Sequence, residues 1–177
     1  STNPQTGWIK ADQVSSEQAN KEILKLKEEN DQLKATIAQY EEMSPVGIEK
    51  LSQGDDVYPI SFNYHYSLNE YRVTEYKVTW NEIFGVLAPY MVSESVEWAL
   101  VNHFNDYITQ KAQDEYKKDA HHAKVDDSDF QNIKVQLIAL GLITESIKKR
   151  STKDQHTYWT LTKYGKKQMF MLKAIKK

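Results

Sequence analysis

Four cations fall within six residues, at Lys148, Lys149, Arg150 and Lys153. Cations at that density are what meets a phosphate backbone. Upstream, Gln131, Asn132 and Lys134 share one helical stretch, and Gln and Asn side chains can read adenine through two hydrogen bonds. From Ile147 to the end there are ten Lys or Arg against one acid, Asp154, in a chain whose net charge is −2. That asymmetry marks one end of the protein for an anionic partner. Contact with double-stranded DNA would then fall on Gln131, Lys134, Lys148, Lys149, Arg150 and Lys153. Two features oppose it. Asp126, Asp127 and Asp129 crowd the start of the same helical stretch, where acid repels phosphate. Val135 and Ile138 lie off its polar face and suit packing against protein.

Other chemistry is harder to find. The glycines are scattered, so no phosphate-cradling loop forms. His121-His122 sits in a polar stretch where adjacent residues would diverge on a helix, and no HExxH-type face is completed. There is no cysteine, which excludes disulfides, thiol nucleophiles and thiolate zinc sites and fits a reducing cytoplasm. No Ser, His and Asp fall into a nucleophile elbow. Asp55-Asp56 and Asp126-Asp127 read as turn and cap signals. The expectation is a chain that is not an enzyme, with no metal and no cofactor. The rings of Tyr58, Phe62, Tyr64, Tyr66, Tyr71 and Tyr76 could stack bases; the plainer reading is a packed sheet face.

A different pattern points to a partner of known identity. Ile23, Leu26, Asn30, Leu33, Ile37 and Tyr40 alternate at three and four residues, the rhythm of a coiled coil. With Ile23, Asn30 and Ile37 at a and Leu26, Leu33 and Tyr40 at d, β-branched residues at a and Leu at d favour two parallel strands. A central Asn at a fixes register and oligomer state. Glu22 and Glu29 at g would face Lys27 and Lys34 at e of the second chain. The stripe therefore predicts a parallel homodimer. An amphipathic helix packed on its own domain is the competing reading of a stripe about three and a half heptads long.

These residues need elements to position them. Ser15 or Ser16 is a cap signal for a coiled-coil helix over 16–43, about 40 Å long at helical rise, after a leader over 1–15. Ser44-Pro45-Val46-Gly47 stops it, and 44–57 reads as a linker. Alternating residues over 58–78 predict a β-hairpin, with a phase slip near Glu75. Helical spacing then returns over 79–177. Thr79 or Asn81 starts a first helix ended near Pro89, and Ser93 or Ser95 starts a second with a polar, exposed tail over 110–124. The acids at 126–129 start a third that Gly141 ends. A hairpin with the basic loop 148–155 follows, and Thr162 caps a last helix carrying Tyr164, Met169, Leu172 and Ile175.

Helix, helix, helix, hairpin, helix is the order of a winged helix-turn-helix domain. Leu140-Gly141-Leu142-Ile143 followed by Tyr158-Trp159-Thr160-Leu161-Thr162-Lys163-Tyr164-Gly165 resembles the L-G-L-I … Y-x-L-T-x-x-G text of many bacterial winged-helix domains. The resemblance covers about 79–175 and speaks to fold more than to function. It implies that the third helix enters the major groove and the wing touches backbone. Gly7-Trp8-Ile9-Lys10, the coiled coil, Trp80-Asn81-Glu82-Ile83-Phe84 and the run from Phe130 to Leu137 also look like the C-terminal half of a family of uncharacterised bacterial proteins. Their N-terminal half is a TIR-like domain of unknown function, and that resemblance would make this chain a piece of a longer protein. The fold expected is mainly α with β-hairpins (α+β). The function expected is a non-catalytic, homodimerising regulatory module of a bacterial, cytoplasmic protein, with a dimeric DNA-binding domain as the alternative. No apolar run is long enough to span a bilayer.

Overall fold

The computed structural model describes residues 6–67, 70–115 and 121–175. It is a mixed α+β chain that divides after Glu41 into two units. The first is a single helix, α1 (Thr6–Glu41). It starts ten residues before the expected helix at 16, so Ser15 and Ser16 lie within it and not at its start. Serine costs a helix interior only a few tenths of a kcal/mol, too little to set a boundary alone.

The second unit opens with a short 3-10 turn, Ile48–Lys50, whose Ile48 is buried. The 44–57 stretch is more than a linker. Trp80 and Asn81 donate backbone N–H groups to the carbonyls of Asp56 and Gly54 (3.2 and 2.8 Å), and Trp80 Nε1 donates to Ser52 Oγ at 3.0 Å. Strands β1 (Val57–Ser67) and β2 (Glu70–Thr79) form the expected hairpin. The alternation places Ile60, Phe62, Tyr64 and Val78 in the core. The expected slip at Glu75 is absent: Glu75 pairs regularly with Ser61, and the register shifts instead between His65 and Ser67. The consequence is that Thr74, not Val73, follows the inward phase, and Val73 is 72% exposed. The sequence also suggests a turn flanked by Asn69 and Glu70; Asn69 lies outside the described residues, and Glu70 is already the first residue of β2.

β2 runs directly into α2 (Trp80–Leu87), with Thr79 and Glu82 closing a reciprocal capping box. The chain continues through a 3-10 turn at Ala88–Met91, where Pro89 sits, to β3 (Ser95–Val96) and α3 (Glu97–Glu115). The tail expected to be exposed over 110–124 is exposed at most of its described positions but is built into the fold at two places, and 116–120 lie outside the described residues. Ala112 is buried, and His121–Val125 forms a strand, β4, antiparallel to β1 with Ala123 and Val125 buried. Its backbone is held by α3 side chains, Thr109 Oγ1 accepting from Ala123 N–H and Asn105 Oδ1 from Val125 N–H, both at 2.9 Å.

Asp126 caps α4 (Asp127–Ala139), which buries Phe130, Ile133 and Leu137. Gly141, at φ +67, ends it in the left-handed region; a Cβ there would also meet the Pro45 ring at 2.4 Å. β5 (Ile143–Glu145) and β6 (Tyr158–Leu161) pair antiparallel, and β3 joins the outer edge of β6. Thr162 caps α5 (Lys163–Lys173), accepting from Gly165 N–H at 2.8 Å. Gly165 lies so close to the Leu142 carbonyl that a Cβ would stand 1.8 Å from its oxygen. Ile175, expected on the last helix, lies past its end and is fully exposed, while Met169 is buried. Both three-stranded sheets, ordered β2-β1-β4 and β3-β6-β5, contribute to one continuous core that runs from Ile48 to Met169. Full burial of a ring such as Phe104 stabilises the fold by about 2–3 kcal/mol.

Candidate interaction site

Two acids beside β3, Glu94 and Glu97, organise the residues expected to meet DNA. β3 pairs with β6, Ser95 opposite Trp159 and Val96 opposite Tyr158. Glu94 therefore faces the loop after β5, and Glu97 lies between β6 and α4. Lys134 Nζ lies 3.1 Å from both Glu97 carboxylate oxygens and 5.4 Å from the centre of the Trp159 ring. Trp159 Nε1 donates to the same carboxylate at 2.7 Å, and Gln131 Nε2 does so at 3.4 Å. Burial pushes the Glu97 carboxyl up, but the bonds from Trp159 and Lys134 outweigh it and hold the group below its ordinary 4.5.

Glu94 does the same for the loop. It accepts from Ser146 Oγ at 2.6 Å and Arg150 Nη2 at 2.7 Å, with Lys148 Nζ at 3.4 Å. The Ser146 hydroxyl first, then Arg150 and Lys148, hold its carboxyl below the ordinary value. Arg150 is further fixed by its guanidinium stacking 3.7 Å above the Tyr158 ring. Of the six residues singled out for nucleic acid, Lys134, Lys148 and Arg150 thus meet acids of their own chain, and Gln131 leans on one. Lys149 and Lys153 stay exposed and form no ion pair among the described residues.

The rest of α4 is equally committed. Asp129 accepts from Tyr58 Oη at 2.9 Å and from Ser61 N–H at 2.7 Å, fastening α4 to β1. Asn132 Nδ2 donates to Tyr58 Oη at 3.2 Å, and Gln136 Nε2 to the Ser52 carbonyl at 2.6 Å. Tyr58 packs on Trp80 with ring centres 5.1 Å apart. Of the hairpin rings, Phe62 and Tyr64 are buried and Tyr58 and Tyr76 pack half-buried against the core, while the side chains of Tyr66 and Tyr71 lie outside what is described. α4 nevertheless leaves two large apolar side chains open, Val135 at 61% and Ile138 at 42% exposed, and with Gln131 they form one stripe at four- and three-residue spacing.

The largest open stripe lies on α1. Ile23, Leu26, Leu33, Ile37 and Tyr40 are between 54% and 70% exposed, and Asn30 shares their face and their exposure. Lys34 reaches Asp31 at 3.8 Å on the same helix, a solvent-screened contact.

Two of the clefts among the described residues bear on possible chemistry. One of about 280 Å³, among α2, α4 and α5, is lined by Trp80, Phe84, Leu137, Tyr164 and Leu172, with no acid, histidine or lysine in its wall. The other borders His121 and His122. The rings of His65 and His122 meet edge-on at 6.4 Å; no group of three metal-ligating side chains stands together among the described residues. No described helix is long and apolar enough to cross a membrane. Glu94 and Glu97 carried no signal in the sequence beyond acids near a helix start, because their partners lie 34 to 62 residues away. No family model, curated protein or solved structure matches the chain.

Proposed function

We propose that this chain is a non-catalytic homodimerising module in which a parallel two-stranded coiled coil of α1 joins two copies of a winged-helix unit. The observation that carries it is the apolar stripe of α1, more than half exposed at Ile23, Leu26, Leu33, Ile37 and Tyr40. Soluble chains seldom leave so long a run of large apolar side chains in water. A second copy is the occupant that its spacing suits, with Asn30 meeting Asn30 and Glu22 and Glu29 facing Lys27 and Lys34. In the second unit, the order from α2 to α5, with β5 and β6 as the wing, supports the winged-helix reading. In a dimer the coil would set the spacing between two such units and between any domains attached to them.

The pairing of Lys134, Lys148 and Arg150 with Glu94 and Glu97 favours a protein-facing role for the winged helix over DNA reading. Releasing those cations to phosphate would leave two partly buried carboxylates with only neutral donors and no cation, a cost that exposed lysines do not carry.

Light scattering tests the coil directly. The native chain should run as a dimer, and Leu26→Glu/Leu33→Glu as a monomer with its second unit still folded. A monomeric native chain sinks the proposal. Anisotropy with mixed-sequence duplex DNA at two salt concentrations tests the rival. No salt-sensitive binding is expected, whereas a steep loss of affinity with salt would restore DNA as the partner.

A further inference from the structure

β2 leaves a second surface open, made of backbone. It is an edge strand: β1 covers one side of it, and no strand among the described residues covers the other. Edges of this kind are ordinarily shielded by short length, a proline, or a bulge that twists them away. β2 has ten residues, no Gly or Pro, and an unbroken register with β1 from Val57↔Thr79 to His65↔Tyr71.

The hydrogen bonds of its neighbours identify the open atoms. Ser61 turns its backbone away from β2, its N–H donating to Asp129 and its carbonyl accepting from Asp126 N–H at 2.9 Å. Ser61 stands opposite Glu75. In an antiparallel pair that does not exchange hydrogen bonds, both residues direct their N–H and C=O outward. Glu75 therefore presents these groups to the free edge, and Val73 and Lys77 do so with it. Thr79 agrees independently, since its N–H donates to the Glu82 carboxylate at 3.0 Å. The side chains of Val73, Glu75 and Lys77 are exposed on the outer face of the sheet.

We propose that β2 is a self-pairing edge, joining antiparallel to β2 of a second copy with Tyr76 on the two-fold axis and Glu75 opposite Lys77. Residues directly opposite must share a sheet face, so the axis must fall on a residue. An axis at Arg72, Glu75 or Lys77 sets a charge against itself. An axis at Val73 or Thr74 opposes no charges. Among registers that pair five or more residues of β2, the one centred on Tyr76 alone sets unlike charges opposite each other, and it does so twice by symmetry. It also sets Thr74 against Val78 and Val73 against Thr79. Glu75 and Lys77 then exchange backbone hydrogen bonds through the open groups, and two three-stranded sheets become one. This edge is separate from the α1 stripe, and its pairing needs no coil.

The absence of cysteine makes the test clean. A pair that does not exchange hydrogen bonds has Cα atoms about 4.5 Å apart, within reach of a disulfide. In the full chain, oxidised Tyr76→Cys should run as a covalent dimer on a non-reducing gel, while Thr74→Cys and Val73→Cys stay monomeric. Failure at Tyr76→Cys, or faster crosslinking of Thr74→Cys, overturns the proposal. Charge reversal gives a readout that spares the core. In the Leu26→Glu/Leu33→Glu background, which removes the coil, Glu75→Lys should weaken self-association at least tenfold in sedimentation equilibrium. Glu75→Lys/Lys77→Glu should restore it. Equal association of all three forms overturns the proposal, whatever becomes of the coil.

Discussion

At the scale of single residues, Gly165 is the least replaceable position described. Its N–H satisfies the Thr162 cap, and its Cα faces the Leu142 carbonyl with no room for a methyl group. Gly165→Ala should cost about 3 kcal/mol or more, because backbone and not a yielding side chain fills the space; urea denaturation would measure it. Thr162→Ala removes the cap alone and should cost about 1 kcal/mol. Equal losses for the two would show that the close approach relaxes. Both residues stood out in the sequence, Thr162 as a helix start and Gly165 within the winged-helix text. Their crowding did not, since it depends on where α5 crosses the turn after α4.

At the scale of elements, what the sequence announced was what local chemistry decides. Thr79, Asp126 and Thr162 each cap the helix they precede, and apolar spacing located the buried faces of α2, α3 and α4. β4 escaped because only Ala123 and Val125 of its five residues are buried, too few to show alternation. β3 has two residues and exists only because β6 lies beside it. The candidate site was half legible. Its cations were plain, but the acids that hold them are brought near by the β3–β6 pairing and α3–α4 packing. For α1, Asn30→Leu should raise the melting temperature of the coil while loosening its oligomer state. Sedimentation velocity should then show trimers or larger species beside dimers, and a strictly dimeric variant would remove the role given to Asn30.

At the scale of the whole molecule, acid stability follows from the carboxylates. Burial pushes Glu82 up, and bonds from Thr79, Lys111 and Tyr107 more than reverse it; Glu94 and Glu97 are likewise held low. A carboxyl that is lower in the folded state adds stability that is full above its unfolded value of 4.5 and is lost as pH falls through the folded value. The melting temperature, followed by circular dichroism, should therefore be flat near neutrality and fall below pH ~4.5. Glu97→Gln should make that acid limb shallower, and an unchanged limb would show that Glu97 titrates alike in both states.

Thr79 is at once the last residue of β2 and the cap of α2. With no loop between them, the hairpin and the helix have no slack to open separately. Fraying at Thr79 removes the pair with Val57 and the capping bonds between Thr79 and Glu82 in the same event. Amide protons of β2 and α2 should therefore exchange with solvent at one common rate, as a single cooperative block. A partner seated on the hairpin would slow exchange in α2 without touching it.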